Sequence, residues 1–333
     1  MSVQQRIDLM VQLGQYMLSD SDEWQAAKQQ AYLKNPWFIP EFIATATQNI
    51  ATHLLSPTAL TTWVQQYNIV DIPQAPKQVG IVMAGNLPLV GFHDFLCVYM
   101  SGHTAVIKLS SKDDVLLKHL VKKLYEWEVT VQNQVSFAEQ LKGCDAYIAT
   151  GSNNSSRYFD YYFGKYPNII RRNRTSIAVL NGTETEAELN GLANDIMLYF
   201  GQGCRNVTQL YLPQGYAFET LLQHTTTWQH LIDHHKYKNN YDYQLALLLM
   251  NNKQYMTNGL YLLHESNQLF AAISVVNYAY YSDEDALRQM LTHHGDNVQC
   301  IVGKGYLTFG TTQQPSLTDY ADGVDTMAWL TAL

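Results

Sequence analysis

Cys204 sits in the run Gly201-Gln-Gly-Cys-Arg-Asn206, between a helical segment and an apolar strand. Small residues on both sides let another group approach the sulfur closely, as an activated thiol requires. A cysteine packing as a small hydrophobe is the competing reading, and spacing alone does not separate the two. Cys97, Cys144 and Cys300 each lie in or beside an apolar element and are read as packing residues. A second chemical candidate is Asn86, in Ala84-Gly-Asn-Leu-Pro88, a segment joining a strand to a helix. Pro88 suits the first turn of that helix. Asn86 then either projects its amide into the crevice at the strand end or caps the helix. Thr150-Gly-Ser-Asn-Asn-Ser155 also follows a strand and opens a helix. Backbone N–H groups at a helix start, with a glycine that permits close approach, make a phosphate site. Such turns are also common caps, and the chain holds no GxGxxG fingerprint.

Three further clusters have plain explanations. Arg171, Arg172 and Arg174 are read as an exposed strand edge in preference to a phosphate site. Lys112, Lys118, Lys122 and Lys123 read as a solvated helix face. His230 and His234 have metal-ligand spacing, with His235 beside them, but no third ligand and no HExxH glutamate accompany them. No metal site is expected.

The elements that must position these residues follow from composition and periodicity. A chain of 333 residues implies about two domains. Hydrophobic residues are 47% and charged residues 15%, which excludes a disordered chain. Lys plus Arg is 21 and Asp plus Glu is 29, a net charge of −8 that argues against a nucleic-acid binder. Four cysteines without a CxxC pair suit a reducing, cytoplasmic setting. The amino terminus has no targeting pattern. Val79 to Gly102 is apolar, but Asn86, Pro88, His93 and Asp94 interrupt it. It reads as a buried strand, a turn and a buried helix rather than a membrane span.

From Val3 to about Trp63 the pattern is helical, with a capping box expected at Asp20 and Glu23. From Lys77 strands and helices alternate: strands at Val79–Met83, Thr104–Lys108, Ala146–Ala149 and Ser176–Leu180, with helices between them. Thr183 and Glu186 are expected to cap a helix to about Phe200. Strand candidates follow at Leu210–Leu212, Gly259–Leu263, Ala272–Val276 and Val298–Val302, and a helix capped from Ser282 to Asp285 runs through Leu291. The fold class is therefore α/β, with a doubly wound parallel sheet binding its ligand at the carboxyl ends of the strands.

Ala84-Gly-Asn-Leu-Pro88, Ala105-Val-Ile-Lys108-Leu-Ser-Ser111, Thr150-Gly-Ser152 and Gly-Gln-Gly-Cys204 stand in the order used by the aldehyde dehydrogenase superfamily. Within it the chain resembles the long-chain acyl-CoA reductases, relatives of the reductase subunit of the bacterial luminescence fatty acid reductase. Gly91-Phe-His-Asp94 and Gly203-Cys-Arg-Asn206 look like that branch, and the resemblance covers about residues 78 to 300. It implies a cofactor domain with its helical leader over 1–200, a second α/β catalytic domain over 201–310, and a tail, 311–333, returning to the core or an interface. It also implies a homo-oligomer.

The resemblance assigns Cys204 as nucleophile and Asn86 as the side-chain amide of the oxyanion hole. Lys108 matches the lysine on the adenosine ribose, and Gly151 and Ser152 match the pair beside the pyrophosphate. Where relatives that prefer NAD carry a glutamate, this chain has Ser111, so NADPH is expected, with NADH as the alternative. Lys112 is a second candidate for the 2′-phosphate. The water-activating glutamate of the oxidising members has no counterpart in Ile169-Ile-Arg-Arg-Asn-Arg174, as suits an acyl-enzyme resolved by hydride. The family's Glu-x-Phe-Gly-Pro becomes Gln268-Leu-Phe-Ala-Ala272, which leaves Gln268 and Phe270 as the residues at the nicotinamide ribose.

The reaction so implied reduces an acyl-CoA, expected to be long-chain, to the aldehyde through S-acyl-Cys204, with CoA as leaving group. Two rivals remain at this stage: a short-chain CoA-acylating aldehyde dehydrogenase using NAD, and a non-catalytic scaffold of an acyl-transfer complex. The acyl donor is left open among CoA, a carrier protein and an acyl-protein ligase partner.

Overall fold

The computed structural model describes the chain from Met1 to Leu333, with side chains except that of Asn153. It divides into two compact units, residues 1–173 with 315–333 and residues 174–314.

The first unit opens with helices α1 (Val3–Met17), α2 (Asp22–Lys34), α3 (Pro40–Asn49) and α4 (Pro57–Gln66). The Ser2, Ser21 and Ser56 hydroxyls accept the N–H groups of Gln5, Trp24 and Ala59, donors that a helix start leaves over. Ser21 thus takes the cap expected of Asp20, one residue along. Helix α1 buries Ile7, Met10, Leu13, Gly14 and Met17, the three- and four-residue spacing of one helix face.

Five strands and three helices follow: β1 (Gln78–Val82), α5 (Phe92–Ser101), β2 (Thr104–Lys108), α6 (Leu116–Trp127), β3 (Val135–Phe137), β4 (Ala146–Thr150), α7 (Asn153–Phe163) and β5 (Asn168–Arg171). All strand pairs are parallel, in the order β3-β2-β1-β4-β5. The chain builds outward from β1 to β2 and β3, then returns to the other side of β1 for β4 and β5. That reversal, between β1 and β4, is where a doubly wound sheet opens a crevice at its carboxyl ends. The edge strands β3 and β5 escaped the sequence reading because three or four residues carry no measurable period.

Helix α5 accounts for the apolar stretch before Gly102. It buries Phe92, Phe95, Leu96, Val98, Tyr99 and Met100, and Asp94 as well. Among the described residues no helix is long and apolar enough to cross a membrane. The C-terminal helix Thr326–Thr331 buries Met327 and Leu330 in the core of this unit, so the apolar tail completes that core.

Arg171 corrects the reading of the arginine cluster. β5 is an edge strand and Arg172, just beyond its end, is exposed, but Arg171 is 5% exposed. Its guanidinium donates to both Asp94 carboxylate oxygens and to Thr326 Oγ1. An arginine can enter a core only when a carboxylate meets its charge in this way, and here Nε alone is left without a partner among the described residues. The Asp94 partner lies 77 positions earlier, beyond any local pattern.

The second unit contains β6 (Thr175–Val179), α8 (Glu186–Met197), β7 (Val207–Pro213), α9 (Phe218–His224), α10 (His235–Met250), β8 (Tyr255–Thr257), β9 (Leu262–Glu265), β10 (Val275–Tyr281), α11 (Glu284–His294) and β11 (Val298–Gly303). Its six-stranded sheet runs β11-β6-β7-β10-β9-β8, parallel except where β8 meets β9. β6 pairs with β7 and β11, so the compact unit begins at residue 174, whereas the sequence reading set the boundary near 200. Helix α8 is capped by Thr185 and Glu188 and α11 by Asp283, two residues after and one residue after the expected caps. His234 caps α10 by accepting the Tyr237 N–H, which gives this member of the histidine cluster a structural role.

Candidate active site

In the first unit, five of the candidate residues gather at the carboxyl ends of adjacent strands. Asn86, itself exposed, follows β1 on a largely buried loop, Lys108 ends β2 with Ser111 just beyond, and Gly151 and Ser152 join β4 to α7. Pro88 lies in a turn rather than in the helix, which begins only at Phe92, so Asn86 is not a helix cap.

The loops after β1 and β2 interlock. A Cβ on Gly85 would stand 2.6 Å from both Cβ and Oγ of Ser110, so only glycine admits this contact. Leu89, held at φ 57, donates its N–H to Asp113 Oδ2 at 2.8 Å. Burial pushes the Asp113 carboxyl up to about 7, against the lowering effect of that hydrogen bond. Its Oδ1 meets no partner among the described residues. A second bond, from Asn35 Nδ2 to the Lys112 carbonyl at 3.2 Å, ties the β2 loop to the end of α2.

After β4, Ser152 Oγ accepts the Ser155 N–H and starts α7. A Cβ on Gly151 would meet Phe159 at 2.8 Å and Ser155 at 2.9 Å, so the glycine lets the strand turn tightly into the helix. An exposed lysine and an eleven-residue helix starting at a strand-order reversal suit an anionic ligand such as a phosphate.

In the second unit the chain reaches Cys204 through an unusual backbone. Tyr199, Phe200 and Gly201 take φ 55, 56 and 71 in succession. Left-handed geometry in a non-glycine residue costs on the order of 1 kcal/mol or more. The buried Phe200 ring packs on His234 and Tyr237, with centroids 4.7 and 5.3 Å away. Asn206, fully buried, donates from Nδ2 to the Asp195 carbonyl at 3.0 Å and the Leu198 carbonyl at 2.9 Å. Asp195 in turn accepts the Gly310 N–H at 2.7 Å and both the N–H and hydroxyl of Thr312. Burial raises its carboxyl to about 6.

Cys204 itself is half-buried, whereas burial pushes the Cys97 and Cys144 thiols up and away from thiolate. Cys300 departs from the packing role expected of it, since its Sγ lies 3.0 Å from Ser176 Oγ. Gln268 and Phe270 are exposed on the link between β9 and β10. The Leu269 carbonyl between them accepts from Thr208 Oγ1 at 3.0 Å, at the amino end of β7, the strand that Cys204 precedes. Asn277 Nδ2 holds the Gln268 and Phe270 carbonyls at 2.7 and 3.3 Å. The nucleophile candidate and the nicotinamide-side candidates therefore share one end of this sheet.

Sequence reasoning missed Asp113, Ser176 and Asp195 altogether, and read Asn206 only as part of a motif. Ser176 meets Cys204 across 28 residues and Asp195 meets Thr312 across 117, so no spacing rule reaches them. Among the described residues no group of three or more His, Cys, Asp or Glu side chains is arranged to hold a metal ion.

A family model described as Acyl-CoA reductase (LuxC) matches residues 44–220. No curated protein matches the chain. Among solved structures, aldehyde dehydrogenase 21 from Physcomitrella patens, in complex with the reaction product succinate, is similar with a TM-score of 0.66 at 12% identity, covering 87% of this chain and 71% of that one. An aldehyde dehydrogenase from Mycobacterium tuberculosis complexed with NAD+ is similar with a TM-score of 0.65 at 14% identity, covering 87% and 71%. An oxidoreductase from Marinobacter aquaeolei gives 0.66 at 11%, again covering 87% and 71%. Likeness at such low identity shows the fold, which is that of the aldehyde dehydrogenases.

Proposed function

Because the chain belongs to the acyl-CoA reductase (LuxC) family, we propose that it reduces a long-chain acyl-CoA to the aldehyde with NADPH, through an S-acyl intermediate on Cys204. The match spans Asn86, Lys108, Ser111, Gly151, Ser152 and Cys204. The observation that carries the reading is the contrast among thiols: Cys204 is half-buried on a braced loop, Cys97 and Cys144 are buried where ionisation is penalised, and Cys300, also half-buried, lies outside the matched residues 44–220.

In this reading the Cys204 thiolate attacks the thioester carbonyl carbon and forms a new C–S bond. The Asn86 amide and the Cys204 main-chain N–H take the oxyanion, contacts worth roughly 3–4 kcal/mol each in other enzymes. The C–S bond to CoA then breaks, and CoA leaves as a thiolate that takes up a proton. When bound, the nicotinamide supplies the hydride that reduces the S-acyl carbon. Lys108, Ser111, Gly151 and Ser152 would hold the dinucleotide in the first unit, and Gln268 and Phe270 would be the second unit's contacts to its nicotinamide ribose. The resulting thiohemiacetal on Cys204 collapses to aldehyde and regenerates the thiol. With no carboxylate in the 169–174 segment to activate water, Cys204 keeps its acyl group until hydride arrives.

The test is aldehyde formation from palmitoyl-CoA and NADPH by wild type and Cys204→Ala. We expect the variant to lose at least 1,000-fold in rate while binding NADPH as wild type does. Equal rates would remove Cys204 from the chemistry.

A further inference from the structure

Cys204 is gripped through its main chain from both sides. Asn206 holds both polar groups of Gly203: its Oδ1 accepts the Gly203 N–H at 2.8 Å, and its own N–H donates to the Gly203 carbonyl at 3.0 Å. That carbonyl shares a peptide plane with the Cys204 N–H. No peptide bond among the described residues is cis, so the Cys204 N–H must point opposite to it, away from the turn. On the far side, the Cys204 carbonyl accepts from Ser176 Oγ at 3.0 Å. Ser176 is fully buried on β6. A hydroxyl has one proton to give. Ser176 spends it on Cys204, so the Cys300 thiol, 3.0 Å away, is the donor in its contact with Ser176.

We propose that Asn206 and Ser176 are positioning residues that aim the Cys204 main-chain N–H at the developing oxyanion. The proposal rests on Cys204 being the nucleophile. The two residues act on different sides: Asn206 fixes the plane that carries the N–H, and Ser176 prevents that plane from rotating with the peptide that follows. Neither touches substrate. Asn206 also braces the left-handed Tyr199–Gly201 run through the Asp195 and Leu198 carbonyls, so a side chain buried before β7 sets the approach of the loop to the cysteine.

Two reactions of the same sulfur separate aim from general disorder. Acylation by palmitoyl-CoA, read as CoA release without NADPH, builds an oxyanion. Alkylation by iodoacetamide, read as the Cys204 peptide mass, displaces iodide and builds none. Ser176→Ala should slow acylation by tenfold or more, with Cys204 alkylation within twofold of wild type and thermal stability nearly preserved. Asn206→Ala should slow acylation further; if it proves too unstable to purify, Ser176→Ala carries the test alone. Acylation within twofold of wild type in folded Ser176→Ala, or acylation and alkylation falling in equal proportion, overturns the proposal. A wild-type protein that alkylates at Cys204 but takes no acyl group overturns the nucleophile reading instead, and the positioning role with it.

Discussion

Replacing Asp113 by asparagine should make the protein more resistant to unfolding as pH rises, opposite to the usual behaviour of a carboxylate. Asp113 is 7% exposed, accepts one N–H from Leu89 and leaves Oδ1 without a partner among the described residues. Its carboxyl is pushed from 3.8 up to about 7 by burial. A carboxyl raised on folding binds its proton more tightly in the native state, so the native state is favoured at low pH. Stability from this group then falls as pH rises from about 4 to about 7, and stays low above that. At 1.36 kcal/mol per pKa unit the full loss is about 4 kcal/mol, of which about 3 kcal/mol falls between pH 5 and pH 8.

Asp113→Asn keeps an acceptor for the Leu89 N–H and removes the titration. Its buried NH₂ group costs about 1–3 kcal/mol, but at both pH values alike. The assay is urea unfolding of wild type and variant at pH 5 and pH 8, followed by tryptophan fluorescence. Trp24, Trp37, Trp63, Trp127 and Trp329 all belong to the unit that holds Asp113. The difference in unfolding free energy should move toward the variant by about 3 kcal/mol from pH 5 to pH 8. A move below 1 kcal/mol, or in the other direction, refutes the reasoning and shows a carboxylate already ionised in the fold.

Other expectations follow from single contacts. Arg171→Met strands the Asp94 carboxylate in the core and should cost about 3–5 kcal/mol in denaturant unfolding; adding Asp94→Leu should recover much of it. Gly85→Ala forces the loop after β1 off Ser110, from which its Cβ would stand 2.6 Å. It should cost about 1–3 kcal/mol and raise the KM for NADPH, read by steady-state kinetics. Ser111→Glu places a carboxylate where a 2′-phosphate would sit, and should lower the NADPH-to-NADH ratio of kcat/KM by about tenfold or more. An unchanged ratio would separate Ser111 from cofactor choice.

The sheets were legible in the sequence where strands were long and apolar. β1, β2 and β4 came from runs such as Val79–Val82, each followed by a helix. Helix caps were legible to within one or two residues, because Ser, Thr and Asp crowd together before α2, α8 and α11 and periodicity does not say which of them turns inward. The motif residues landed on loops at strand ends, where a parallel sheet leaves room for chemistry. Their supports were not legible. Ser176 and Asp195 are ordinary residues of a strand and a helix until folding brings them to Cys204 and Thr312. Arg171 shared its surroundings in sequence with two surface arginines, and only the 77-residue return to α5 distinguishes it. The left-handed Tyr199 and Phe200 carry no local signal, since large aromatic residues rarely adopt that geometry without packing to hold them.

The central claim is the thioester on Cys204. Purified protein incubated with palmitoyl-CoA in the absence of NADPH should gain the mass of one palmitoyl group, on the peptide that contains Cys204. Addition of NADPH deuterated at the transferred position should remove that mass and release hexadecanal carrying one deuterium at the aldehyde carbon. An adduct on another residue, or hexadecanal formed while Cys204 remains unmodified throughout single-turnover sampling, would contradict the account.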